Sequence, residues 1–134
     1  MKKRVFRKEE GEMLKFKGPD RTVHLVVEPA NSDTKEFLMG TVEIPPGSSI
    51  PYHAHTNEEE IMFVYEGRGF TTVDGKEYRV SKGSVVLTPP GCQHSFTNTW
   101  TENLSVAFFY SPPGIEKVLR ERAAAQKRAV GDKQ

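Results

Sequence analysis

The spacing of glycine, proline and histidine restricts this chain more than any other feature. Gly47, His53, His55, Glu60 and Gly67 fall in one short window, and Gly83, Pro89, Gly91, His94 and Asn98 in a second. Glycine accepts backbone angles that other residues resist, and Pro89-Pro90-Gly91 is a turn signal. Each window therefore reads as short strands separated by corners. The run Glu60 to Tyr65 is rich in branched and aromatic residues and reads as a strand. Phe70–Val73 and Glu77–Val80 flank Asp74-Gly75, a tight-hairpin signal.

Further strands are expected at 23–28, 36–44, through the histidine pair, and at 84–87, 93–97 and 104–110. Pro45-Pro46-Gly47 and Ser111-Pro112-Pro113-Gly114 act as stops. Residues 1–21 are charged and weakly periodic, and read as an arm with a strand near Val5-Phe6. Ile115, Val118, Leu119 and Arg122-Ala123 form an apolar stripe at helical spacing, which predicts a helix over 115–128. The expected organisation is an arm (1–21), a β domain (22–112), and a helix with a tail (113–134). Many short strands broken by nine prolines and eleven glycines indicate an all-β sandwich or barrel.

Three of the four histidines lie in the two windows. His53 and His55 are two apart, so on a strand both point to one face. Glu58, Glu59 and Glu60 are adjacent; strand parity admits Glu58 or Glu60 on the inward face and does not choose between them. His94 follows the Pro89-Pro90-Gly91 turn. Three neutral imidazoles and a carboxylate suit one divalent transition metal: Fe, Mn, Ni, Co, Cu or Zn. An octahedral ion on four protein ligands keeps two positions for water, substrate or dioxygen. His24, alone in Val23-His24-Leu25-Val26, reads as an ordinary strand residue.

Both windows resemble the two motifs of the cupin superfamily. The first matches as Gly47, five residues, His53, one, His55, four, Glu60, six, Gly67; the second as Gly83, five, Pro89, one, Gly91, two, His94, three, Asn98. All ten fixed positions are met, and the gap from Arg68 to Lys82 is near the shortest the family uses. The chain is similar to the small single-domain members. The resemblance implies a double-stranded β-helix (the cupin jelly-roll barrel), here followed by a short C-terminal α-helix. It selects Glu60 as the fourth ligand, beside His53, His55 and His94. It leaves the reaction open, because the fold hosts many chemistries.

Parity extends the site. If Glu60 faces in, so do Met62 and Val64; if His94 faces in, so does Phe96. Phe70 and Phe108 are further candidate walls of a substrate pocket, and Tyr52 and Tyr110 are candidate acid/base partners. The same parity puts Ile61, Phe63 and Tyr65 on the opposite face, where they need cover from the arm, the helix or a second subunit. Small cupins are commonly dimers, so a homodimer is expected. Asn98 is read as a turn residue bonding backbone, and Cys92 as a small buried residue rather than a reactive thiol.

Composition narrows the rest. A net charge of +1 gives no global field for nucleic acid, and none is expected as a partner. The single cysteine fits a reducing compartment. No signal-peptide core follows Met1-Lys2-Lys3-Arg4 and no run is long enough to span a bilayer, so a cytoplasmic protein without a membrane partner is expected. The favoured function is a metal-dependent enzyme on a small organic molecule, with dioxygenase-like oxidative cleavage first and isomerase, lyase or decarboxylase chemistry as the alternative. A non-catalytic small-molecule-binding or sensor module is the other class.

Overall fold

Hydrophobic alternation sets the architecture. In the strand Glu59–Glu66, Glu60, Met62 and Val64 are buried while Glu59, Ile61 and Phe63 are exposed. In His94–Thr97, His94 and Phe96 are buried. Each strand thus presents one face to a shared interior, as period-two patterning requires. The computed structural model describes residues 2–132; Met1, Lys133 and Gln134, at the ends of the predicted arm and tail, lie outside the described residues.

The ten strands are β1 (Glu12–Phe16), β2 (Arg21–Val27), β3 (Leu38–Ile44), β4 (Ser49–His53), β5 (Glu59–Glu66), β6 (Arg68–Val73), β7 (Lys76–Ser81), β8 (Val85–Thr88), β9 (His94–Thr97) and β10 (Leu104–Ser111). One helix, α1, spans Ile115–Asp132. The strands form a six-stranded sheet in the order β1-β2-β3-β10-β5-β8 and a four-stranded sheet in the order β4-β9-β6-β7. Neighbours pair antiparallel throughout. The inward residues of both layers meet in one core, in which Leu25, Leu38, Ile44, Val64, Phe96, Leu104 and Val106 are fully buried. This is the all-β double-stranded β-helix with a C-terminal helix that the motifs imply.

The arm departs from expectation. No strand forms at Val5-Phe6, where Val5 is 81% exposed. A short 3₁₀ turn at Lys8–Glu10 leads instead into β1. There Leu14 and Phe16 are buried two residues apart, an alternation short enough to escape notice among flanking charges. β1 then extends the six-stranded sheet by pairing with β2. The histidine strand is also shorter than expected, since β4 ends at His53 and His55 lies in the connection to β5.

Two devices hold the ends of the barrel. Asn98 is fully buried, and its side-chain amide donates to the carbonyls of Ile44 and Glu102, both at 2.8 Å, while its Oδ1 accepts from the Trp100 N–H at 2.9 Å. It satisfies backbone groups at a corner, as its position in the second window suggested. At the other end, α1 packs Ile115, Leu119 and Ala123 against the core. Its Arg120 pairs with Glu12 on β1 (2.7 Å) and with the buried Glu28 just past β2. Gln126 Oε1 accepts the Lys17 N–H at 2.8 Å. No described helix is long and apolar enough to cross a membrane.

Candidate metal centre

Three strands from the two sheets and one connection converge on one point. His53 closes β4 and His94 opens β9, and the two are directly opposed in the four-stranded sheet. Glu60 comes from β5 in the six-stranded sheet. His55 is held in the β4–β5 connection by its own carbonyl, which accepts the Gly91 N–H at 2.7 Å. Gly91 has φ of +80°, so the turn that makes this bond requires a glycine. The candidate ligand atoms of His53, His55, Glu60 and His94 all lie within 4.8 Å of one another. Glu58 and Glu59 stay outside the cluster: β5 begins at Glu59, which is exposed, and Glu60 is 3% exposed.

Hydrogen bonds aim the rings. His53 Nδ1 lies 2.6 Å from the Pro51 carbonyl and His94 Nδ1 lies 3.0 Å from the Cys92 carbonyl, so each donates outward and turns Nε2 toward the cluster. A metal-ligating histidine needs this kind of outer partner to fix its tautomer. His94 Nε2 donates to Glu60 Oε1 at 3.0 Å, and His55 Nε2 stands 3.6 Å from the same oxygen. The His53 ring lies 4.2 Å from that of His94 and 4.8 Å from that of His55.

Three imidazoles this close cannot all be charged. Burial pushes the His53 pKa down to about 4; the bond to the Pro51 carbonyl opposes it, and the neighbouring His94 and His55 add to the downward shift. His94 moves the other way: burial opposes its charge, but the bonds to Glu60 and Cys92 outweigh it. Burial would raise Glu60, but the nearby His55 and the bond to His94 outweigh it and hold the carboxyl low. The Glu60 carboxylate thus faces the His94 and His55 imidazoles across a buried contact. Three imidazole nitrogens and one carboxylate oxygen gathered in this way suit a divalent transition ion. The four residues can hold one.

Beside the cluster is a cavity of about 80 Å³. Met62, Phe108 and Tyr110 line it. Val64 and Phe96 do not: both are fully buried in the core, further along the same inward faces. Phe70 faces away, since Gly69 and Thr71 take the inward positions on β6, and it borders a separate open cleft with Arg68 and Trp100. Tyr52 is 47% exposed and its hydroxyl accepts the Gly75 N–H at 2.9 Å, remote from the cavity. Tyr110 shares a 3.1 Å hydrogen bond with His55 Nε2. Burial, then the Glu60 charge, push its phenol well above the usual range, so it is a neutral hydroxyl and not a base.

Cys92 is buried, and burial raises its thiol pKa. Sequence reasoning missed Arg21, Phe16 and Val23 on the β1–β2 side of the cavity. Arg21 precedes the inward Val23 and Leu25 by two and four residues, and that parity would have found it. Arg122, at the mouth, sat in the helical stripe without a role.

His94→Ala removes the histidine common to the Glu60 bond and the His53 ring contact. Metal bound per chain, measured by elemental analysis after reconstitution, is expected to fall at least tenfold, together with loss of the rise in unfolding temperature that metal confers on the parent. A second prediction concerns the metal-free protein. Unfolded His53 takes a proton near pH 6.5, whereas folded His53 resists it down to about 4. Between these values the unfolded state binds more protons, so stability falls as pH is lowered through the window. Urea midpoints at pH 7, 5.5 and 4.5 are expected to show this, with a shallower decline in His53→Gln.

Comparison with known proteins agrees with this geometry. The cupin domain model matches residues 40–110. The chain is 34% identical over 88 residues to an oxalate-binding protein of Thermotoga maritima, covering 66% of this chain and 72% of that one. It is 31% identical over 90 residues to a gentisate 1,2-dioxygenase of Ralstonia, covering 63% of this chain but 25% of the relative. Coverage of relatives is often partial, and the chain spans only 56% of a similar Methanocaldococcus jannaschii protein. A crystal structure from Thermotoga maritima, described as a predicted oxalate decarboxylase, superposes with a TM-score of 0.73 at 26% identity over 81% of this chain and 98% of that one. The strand order, the opposed histidines and the span of the matching model together make this chain a member of the cupin family.

Proposed function

We propose that this cupin is a metal-dependent enzyme acting on a small organic molecule, with oxygen-dependent oxidative cleavage as its leading reaction. The observation that carries this reading is the cluster of three histidines and Glu60 opening onto a cavity of about 80 Å³. A divalent transition ion held by His53, His55, Glu60 and His94 would supply Lewis acidity and, if iron or copper, redox chemistry. The chain's own residues do the rest. Met62 and Phe108 give the cavity an apolar wall and limit water beside the reacting atoms. Tyr110, neutral and buried, offers an O–H to an oxygen that gains negative charge. The similarity to a gentisate dioxygenase supports the oxidative reading, and that to the predicted oxalate decarboxylase supports decarboxylation as the alternative. The similarity to an oxalate-binding protein favours a second reading, in which the same site binds its ligand without turnover.

Elemental analysis of protein purified without chelator separates these readings when followed by oxygen-electrode assays on iron- and copper-loaded samples. Substrate-dependent oxygen uptake, lost in His94→Ala, is the expected result. Turnover without oxygen uptake would favour decarboxylase, lyase or isomerase chemistry. Binding without turnover would favour the carrier reading.

The dimer belongs to the same proposal. Ile61 and Phe63 on β5, Val85 and Leu87 on β8, and Phe109 on β10 are 39–63% exposed on the outer face of the six-stranded sheet. Phe109, Ile61 and Leu87 are aligned across the three strands, and Phe63 pairs with Val85. Neither the arm nor α1 covers them, since α1 lies against β1 at the far edge. A second copy stacking the same face buries this patch in an isologous interface. Light scattering at micromolar concentration is expected to give twice the chain mass, shifting toward monomer in the double variant Ile61→Lys, Leu87→Lys.

A further inference from the structure

The cavity beside the cluster is more cationic than a metal site needs. Two arginines line it, Arg21 from β2 and Arg122 from α1. Arg21 lies on the inward side of β2 with Val23 and Leu25, with its guanidinium 4.6 Å from the Phe16 ring centre. One of its five N–H donors is used, Nη1 donating to the Pro19 carbonyl at 2.9 Å. Arg122 follows Ile115 and Leu119 on the helix face that closes the cavity.

Among the described residues, neither guanidinium takes part in any ion pair. The contrast with Arg120, two positions earlier on α1 and paired with both Glu12 and Glu28, is direct. Burial, and then the charge of Arg122, make Arg21 less willing to hold its proton. Two arginines bordering one small cavity, with Glu60 the sole carboxylate lining it among the described residues and already bonded to His94, leave positive charge unanswered.

We propose that the ligand of this site is a small organic carboxylate, gripped by Arg21 inside the cavity and by Arg122 at its mouth, with its other end toward the histidine cluster. A guanidinium matches a carboxylate through paired N–H donors. Val23, Val42, Val106 and Phe108 around it suit an organic body and give a bare inorganic anion little to contact. The cavity, about 80 Å³, equals on the order of three waters at liquid density, so the acid has only a few non-hydrogen atoms inside and any larger part passes Arg122. The inference rests on this cluster being the ligand-binding centre and adds the class of ligand and the residues that select it.

Calorimetric titration of the wild-type protein with pyruvate, malonate, butyrate, butyramide and inorganic phosphate tests it, on zinc-loaded and on chelated protein. At least one acid is expected to bind at least tenfold more tightly than butyramide and phosphate, and more weakly as salt rises. Arg21→Gln is expected to weaken that acid at least tenfold and Arg122→Gln several-fold, with Arg21→Lys recovering part of the loss and bound zinc unchanged. Equal affinity for acid and amide, tighter phosphate binding, or acid binding unaffected in both glutamine variants would overturn the proposal. The salt and amide comparisons on the wild type decide the matter if a variant fails to fold. The two readings fail separately. Normal zinc uptake without acid binding sinks the carboxylate proposal alone. Arginine-dependent acid binding without zinc uptake sinks the metal centre and leaves the carboxylate site.

Discussion

A buried carboxylate joined to a buried imidazole ties the two sheets of this barrel together. Glu60 belongs to the six-stranded layer and His94 to the four-stranded layer, and their contact is 3.0 Å with both side chains almost wholly out of water. An isolated charge at that depth costs several kcal/mol, so neither residue is tolerable without the other or a cation in its place. The demand propagates outward. The contact needs the register of β5 that turns Glu60 inward and the start of β9 at His94, just after the turn that carries Gly91, whose N–H holds His55. The hydrophobic core supplies most of the driving force for folding, but this polar contact decides how the two layers are aligned at their open end.

Much of this was legible in the chain, for definable reasons. Glu60, Met62 and Val64 obey strict alternation, and a one-residue slip would have put the carboxylate in solvent and Ile61 inside. The Asp74-Gly75 hairpin announced itself because both residues take positive φ, which few dipeptides accept. Asn98 was readable as a corner residue because a buried amide has to find backbone partners.

What escaped depended on contacts distant in sequence or on short signals. Leu14 and Phe16 form too brief an alternation to stand out among lysines and glutamates. Tyr52 and Phe70 have the right chemistry for a cavity wall, and only strand direction shows that they point away. Arg21 escapes a strand expected to begin at Val23, because β2 begins two residues earlier, at the position whose parity turns a surface charge into an inward one. Arg122 needed the docking of α1, which no local pattern specifies.

That docking divides the labour within the chain. The four clustered residues come from strands and their immediate turns, held by backbone pairing on both sides. Ile115, Leu119 and Arg122, by contrast, close the cavity from a helix that is pinned by Arg120 and a few apolar contacts and contributes nothing to either sheet. The clustered residues and the cover at the cavity mouth are therefore written in separable stretches of sequence, although Arg21 joins the cavity from β2. Substitutions along one face of α1 can reshape what enters without disturbing the groups that would react with it, so one barrel can serve a succession of different molecules over evolutionary time.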